Sequence, residues 1–396
     1  MKKMYLGVLI LSFFVMFYSC KNDDTNEIQQ EFEAATETVI PGDYIVVLQN
    51  STSRTIEGKT YQERVQNMKR EAHQIMNQVG VNENKLKQAY GTAINGFSIS
   101  LTDEELVEFG KNPLVDRIFP DKMFTLGNGP GNGGGITDPL PDPDQTIPYG
   151  ITRVGYGDGT GKTAWILDTG VDMDHADLNV DQTRGYDFIN NDTFPDDDNG
   201  HGSHCAGTVA AINNDIGVVG VAANATIVPV KVLDRRGSGA YSVIIAGIDF
   251  VAANASPGDA ANMSLGGGVY ELIDEAVFAA SENGVFFALA AGNESTDANL
   301  SSPARVNGQY IWTISAMDDV DYFAYFSNYG NPPIDFCMPG VNVYSTFKSG
   351  GYETYSGTSM AAPHMCGVLL MTNGNPSTDG FVTGDPDGTP DPIAHL

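Results

Sequence analysis

The 396-residue chain predicts an α/β protein: a doubly wound, mostly parallel sheet preceded by a small α+β domain. Three observations carry this. In the second part of the chain, short continuous apolar runs alternate with segments of helical periodicity, the pattern of a parallel sheet covered on both faces. Two of these runs end in a polar residue beside a glycine, at Asp168-Thr169-Gly170 and Gly292-Asn293, and open α/β sheets place their sites at the carboxyl ends of strands. Before residue 122 the order is strand, helix, strand, helix, strand.

The N-terminus comes first. Lys2-Lys3 precedes an apolar run at residues 6–18, then Ser19-Cys20. The run is too short to cross a bilayer and reads as a signal peptide, residues 1–19. A small residue before cysteine, then polar Lys21-Asn22-Asp23-Asp24, resembles a bacterial lipoprotein signal. That resemblance implies cleavage before Cys20 and a lipid anchor on its sulfur, with the membrane as partner. Phe17 replaces the usual leucine, so ordinary secretion is the alternative.

Residues 20–42 read as a tether. The α+β domain, residues 43–121, opens on a strand at 43–48, continues through a charged helix at 61–78, and alternates as a strand at 96–101. Thr102-Asp103-Glu104-Glu105 is a capping box opening a second helix, and 115–119 is a last strand. Residues 122–144 form a linker, glycine-rich and then acidic and proline-rich, open to cleavage. The domain from 145 to 396 has strands near 165–168, 227–232, 262–264, 285–291 and 310–316. Its helices fall near 241–253, 272–280 and 359–371. The last residues, 372–396, are rich in Gly, Asp, Asn and Pro, and read as an extended, calcium-braced cover or a partly disordered tail.

The chemistry follows from three motifs. In Gly357-Thr358-Ser359-Met360-Ala361, one serine stands at a loop-to-helix junction, where backbone N–H groups are free and the helix dipole is positive. A nucleophile needs such donors beside the oxyanion it creates. In His201-Gly202-Ser203-His204, a histidine flanked by glycines is open to substrate. Asp168 closes a buried strand. Serine needs a histidine base, and the histidine needs a carboxylate to fix its tautomer. Each residue alone has a plainer role: Asp168 in a turn, Ser359 as a helix cap, and His201, His204 and Cys205 as zinc ligands. Their joint occurrence favours catalysis.

Together these motifs resemble the three active-site signatures of the subtilisin-like serine proteases, in the same Asp, His, Ser order. The resemblance covers roughly residues 145–371. It implies a serine endopeptidase with Asp168 as orienting carboxylate, His201 as general acid/base and Ser359 as nucleophile. Asn293 would be the side-chain oxyanion donor. Ser264, Leu265, Gly266, Gly267, Ala290, Ala291 and Gly292 would line the substrate cleft and S1 pocket. These segments hold no acidic residue, so a broad, apolar S1 preference is expected. The family also has an often-cis X-Pro bond where Ser302-Pro303 stands. The N-terminal α+β domain resembles the family's inhibitor-type propeptide, which assists folding, inhibits and is then cut off, here between residues 120 and 145. A binding module is the other reading of that domain.

The resemblance also implies structural Ca²⁺, held by Gln145, Asp177, the Asn214 side chain and the carbonyls of Ile212, Ile216 and Val218. Hard oxygen ligands of this kind suit Ca²⁺. The acidic runs at 196–198 and 385–391 read as solvated turns, with a second Ca²⁺ as the alternative. A formal net charge of −29 argues against nucleic-acid partners and fits an exported protein. The partners are then peptide or protein substrates and the chain's own propeptide, the enzyme acting as a monomer. Beyond Cys20 the cysteines are Cys205, Cys337 and Cys366, an odd count that leaves at least one without an intramolecular partner. The rival to a protease is a non-catalytic surface lipoprotein that binds peptides with the same fold.

Overall fold

The computed structural model describes residues 35–49, 60–127 and 144–396. The expected signal peptide, Cys20 and most of the linker lie outside the described residues. No helix among the described residues is long and apolar enough to cross a membrane.

The N-terminal unit is an antiparallel sheet of β1 (Thr36–Leu48), β2 (Leu86–Tyr90), β3 (Gly96–Ser100) and β4 (Val115–Thr125). Helices α1 (Tyr61–Gln78) and α2 (Asp103–Phe109) accompany it. Both helices start with a reciprocal capping box, Thr60 with Glu63 and Thr102 with Glu105, which satisfies backbone N–H groups that have no intrahelical partner. Met68, Ala72, Ile75 and Met76 repeat at helical spacing and pack on Val46, Leu48, Phe97 and Ile99. Two strands exceed the sequence reading. β1 begins seven residues before the strand expected at 43, and β4 runs six residues past 119.

The second unit follows the predicted fold class. Its strands are β5 (Thr163–Asp168), β6 (Tyr186–Asp187), β7 (Thr226–Lys231), β8 (Ser238–Ala240), β9 (Ala260–Met263), β10 (Phe286–Ala290), β11 (Ile311–Met317) and β12 (Ile334–Pro339). A hairpin follows, β13 (Val343–Phe347) with β14 (Gly351–Tyr355), and the chain ends in β15 (Ser377–Phe381) and β16 (Pro392–His395). The main sheet runs β15-β16-β12-β11-β10-β9-β5-β7-β6, parallel throughout except for β15.

Successive side chains of a strand point to opposite faces. Ala164 and Ile166 therefore enter the layer that holds α3 (His201–Ala210) and α6 (Thr358–Thr372). Trp165 and Leu167 enter the layer of α4 (Tyr241–Asn254) and α5 (Glu271–Ser281). Cys205, Cys337 and Cys366 are all buried free thiols.

The C-terminal segment is extended, as one of the two readings has it, and forms strands. β16 adds to β12, with Cys337 opposite Ile393, and buries Ile393 and Val382 against Met317 and Phe323. Asp391 is buried too. It accepts from Ser315 Oγ (2.6 Å) and Asn331 Nδ2 (3.0 Å), so this end of the acidic run is structural rather than a solvated turn.

The two units share a sheet. β8 pairs antiparallel with the end of β4: Ser238 with Thr125, Gly239 with Phe124, Ala240 with Met123. Helix α4 has no side-chain cap of its own. Asp121 of β4 supplies one, accepting from Ser242 N (3.1 Å) and Ser242 Oγ (2.6 Å). On the same helix, buried Asp249 accepts the N–H groups of Gly91, Thr92 and Ala93 (3.1, 2.7 and 2.6 Å). Arg117 adds a two-pronged ion pair to Glu275 on α5.

Candidate active site

Asp168 is the last residue of β5 and fully buried. Its two oxygens face His201 Nδ1 at 2.8 and 2.9 Å, and Oδ1 also accepts from Thr169 N (2.7 Å). His201 is the first residue of α3. The flanking glycines are required by close approach. A Cβ on Gly202 would stand 2.0 Å from Gly170 O, and one on Gly200, where φ is 117°, would stand 2.1 Å from the Phe347 ring. Burial pulls the His201 imidazolium down. The charge and hydrogen bond of Asp168 more than offset that, and its pKa lies above the ordinary value.

The acidic run at 196–198 is not a solvated turn at its centre. Asp197 is buried. Its Oδ1 accepts from Thr169 Oγ1, Asn199 N and Gly200 N, each at 2.9 Å. Its Oδ2 accepts from Ser203 N (2.9 Å) and Ser203 Oγ (2.6 Å). Thr169 Oγ1 in turn accepts from Gly202 N (2.9 Å). One carboxylate thus ties the strand end bearing Asp168 to the helix start bearing His201. Nothing local distinguishes Asp197 from the aspartates beside it, so sequence reading missed it. His204 turns away, with Nε2 at 3.0 Å from Val343 O and its ring stacked on Tyr355. Burial lowers its pKa to about 3. Cys205 does stand close to Asp168 and His201.

Ser359 is the second residue of α6. Its hydroxyl donates to Ser264 O (3.2 Å), and Ser264 Oγ donates back to Ser359 O (2.8 Å). Asn293 Oδ1 accepts from Thr358 N (2.8 Å) and Thr358 Oγ1 (3.0 Å). With its oxygen held, the amide keeps Nδ2 as its donor. His201, Ser359, Asn293, Ser264, Leu265, Gly266, Ala290 and Gly292 line one cavity. Ala291, expected to line it, is instead fully buried beside Ala298 and Ile334, because successive strand residues face opposite ways. Gly267 faces Glu37 of β1 rather than that cavity. Sequence reading also missed Glu294, an acidic residue on the cavity wall, placed by Asn328, whose Nδ2 donates to Glu294 Oε2 (2.8 Å). The Ser302-Pro303 bond is cis.

The cavity is lined from the N-terminal unit as well, by Ala35, Phe124, Leu126 and Gly127. β4 does not stop at its pairing with β8, since Leu126 N continues the ladder to Gly237 O (2.9 Å). The chain thereby lays its own extended segment along a bare strand edge, the geometry of peptide recognition by strand addition.

The expected cation ligands also converge. Gln145 Nε2 donates toward Ile212 O (2.7 Å), Val218 O (3.0 Å), Asn214 Oδ1 (3.3 Å) and Ile216 O (3.3 Å). Beside it the buried Asp177 carboxylate accepts from Asn214 Nδ2 (2.9 Å) and Val218 N (2.9 Å). Burial raises the Asp177 pKa. Four oxygens thus converge on one point beside a buried carboxylate, a donor set that fits a hard divalent cation, with Gln145 joining it once its amide turns to present Oε1.

Comparison with known proteins agrees with this geometry. The family profile described as the subtilase family matches residues 159–383, and the peptidase inhibitor I9 profile matches residues 43–127. The alkaline serine exoprotease A of Vibrio alginolyticus is 37% identical over 371 residues, which is 88% of this chain and 65% of that protein. The extracellular serine proteinase of Thermus sp. strain Rt41A is 33% identical over 380 residues, 92% of this chain and 88% of that one. The crystal structure of a cold-adapted subtilisin-like serine proteinase superposes with a TM-score of 0.57 at 38% identity, covering 62% of this chain and 97% of that one. The chain belongs to the subtilase family of serine proteases, and carries an I9-type propeptide domain before its subtilisin-like domain.

Proposed function

We propose that this chain is the zymogen of an exported serine endopeptidase that cuts itself immediately after Gly127. The observation that carries the proposal is the path of β4: paired with β8, it continues through Leu126 and delivers Gly127 to the cavity of Ser359, His201 and Asn293. In this reading His201 takes the Ser359 proton, with Asp168 holding the imidazole by Nδ1. A turn of the serine hydroxyl from Ser264 O toward the imidazole starts the reaction. Ser359 Oγ attacks the scissile carbonyl, and Asn293 Nδ2 with the Ser359 N–H receives the oxyanion. His201 returns the proton to the leaving amine, and water then hydrolyses the acyl-enzyme.

The Asn293→Ala variant is expected to lose about 10²–10³ in kcat with KM little changed. That magnitude is the one known for the corresponding donor in subtilisin, a member of the same family. Steady-state hydrolysis of a chromogenic peptide checks it, and a loss confined to KM would assign Asn293 to substrate binding.

The S1 preference is broad and apolar in this reading, with Glu294 adding tolerance for basic side chains. Asp121, Asp249 and Arg117 make the propeptide a folding template, because α4 obtains its cap and three hydrogen-bond donors only from the docked domain. If Cys20 carries lipid, the anchor lies on the propeptide side of the cut, and self-cleavage frees the protease from the envelope.

The cage of Gln145, Asp177, Asn214, Ile212, Ile216 and Val218 would hold Ca²⁺, which supplies positive charge that stabilises the folded loop. Saturation at a hundred times Kd stabilises by about 2.7 kcal/mol, equal to roughly 5–10 °C in Tm for a domain of this size. Chelation by EGTA is therefore expected to lower the Tm of the Ser359→Ala chain by about that amount. Restoration by Ca²⁺ but not by Mg²⁺ would complete the test, and an unchanged Tm would contradict it.

A further inference from the structure

The I9 match begins at residue 43, but β1 begins at Thr36. The first residues of β1 are paired, although Thr36, Thr38 and Val39 remain exposed and only Glu37 is half-buried. They pair antiparallel with the end of β4: Thr36 with Thr125, Glu37 with Phe124, Thr38 with Met123, Val39 with Lys122. The ladder then shifts register and resumes at Tyr44 opposite Pro120, with Gly42 at φ 81° in the irregular stretch. Residues 36–39 therefore form a separate pairing, outside the part that matches the inhibitor family.

The end of β4 has two edges. One is held by β8 of the protease domain. The cleft also has a second wall, Ser264 to Gly266, and beyond it Gly267 and Gly268. A strand lying in the cleft could pair with that wall. Here the second edge of β4 is taken by residues 36–39 instead, and these lie against Gly267 and Gly268.

The fit is specific. The Glu37 carboxylate accepts from Lys122 Nζ (2.9 Å) and from the Tyr241 hydroxyl at the start of α4. It rests where Gly267 has no side chain, since a Cβ there would fall 2.2 Å from Glu37 Oε1. Its charge is balanced by Lys122, so partial burial does not leave it unpaired. Ala35, two residues further back, reaches the cavity of Ser359 itself.

We propose that residues 35–42 are a second inhibitory strand. They close the Ser264–Gly268 side of the cleft while the end of β4 closes the Ser238–Ala240 side. This rests on the reading of the chain as a self-processing zymogen. Its consequence is that residues 35–42 add to the hold of the cut inhibitor on the cleft and slow its departure. A break after Gly127 frees only one end of the inhibitor, because residues 35–42 lie upstream of the break and stay with it. Full access requires this strand to leave as well, together with the inhibitor domain to which it is joined.

Two measurements on the full chain test this. The first compares wild type, Glu37→Ala and a deletion of residues 35–40, following the rate at which a fluorophosphonate labels Ser359 after the cut appears. Both variants are expected to label at least about tenfold faster than wild type, the scale of one lost charged hydrogen bond. Equal rates in all three would overturn the proposal. The second uses hydrogen exchange on the same variants in the Ser359→Ala background, where no self-cleavage intervenes. Amides of Met123 to Leu126 and Leu265 to Gly268 are expected to exchange about tenfold faster than in the Ser359→Ala parent. Unchanged protection would overturn the strand's seating whether or not the wild type cuts itself. A chain that neither cuts nor labels would instead defeat the zymogen reading, and the exchange result would still decide the strand.

Discussion

Ser359→Ala is expected to lower kcat by about 10⁶ without disturbing the fold; the magnitude is that of nucleophile removal in subtilisin, a family member. The side chain's structural role is small. Its hydroxyl makes one hydrogen bond, to Ser264 O at 3.2 Å, and alanine is favoured in a helix. Met360 and Ala361, which follow it, are buried and hold α6 in place. What disappears is a hydroxyl that shares a cavity with His201, Asn293 and Gly127 at a helix start, where the neighbouring Thr358 hydroxyl is engaged by Asn293 Oδ1 and Gly292 N. The measurement is peptide hydrolysis by the variant after its propeptide has been cut in trans by wild-type enzyme. Activity within tenfold of wild type would place the nucleophile elsewhere.

Asp168→Asn is expected to lower kcat by about 10⁴, the loss that follows when the orienting carboxylate of such a triad becomes an amide. Both Asp168 oxygens face His201 Nδ1, so the ring presents Nε2 as a base. An amide offers an N–H as well as a carbonyl. Where the N–H faces Nδ1, the proton moves to Nε2, and that atom no longer accepts from serine. The pH profile adds a second readout. Asp168 raises the His201 pKa, and activity requires the neutral ring. Activity therefore grows as pH rises through that pKa. Without the carboxylate the pKa falls, and the acid limb of kcat/KM moves to lower pH. An acid limb that stays in place would mean that Asp168 does not set the base.

The candidate catalytic residues were legible because each sits in a local pattern whose purpose is steric or electrostatic. The glycines around His201 are needed by contacts with Gly170 and Phe347. The helix α1 was read at its true bounds because its capping box and apolar spacing are both local. What escaped the sequence depends on distant partners. The early start of β1 and the late end of β4 exist only because each supplies the other with an edge, some eighty residues away in the chain. Asp197 and Asp391 look like their solvated neighbours, yet each is buried among donors from elsewhere in the fold. The closing strand β16 is four residues long, and its apolar pattern is too brief to read without β12 beside it. Glu294 follows Asn293 directly, but its place on the cavity wall is set by Asn328.

The measurement that most directly tests the central claim is intact-mass analysis of the purified chain, wild type beside Ser359→Ala, incubated with Ca²⁺. Self-processing by this nucleophile predicts a wild-type fragment ending at Gly127, its partner fragment from Asn128 onward or a trimmed form of it, and an uncut Ser359→Ala chain. An uncut wild type, or the same cut in both chains, would contradict it.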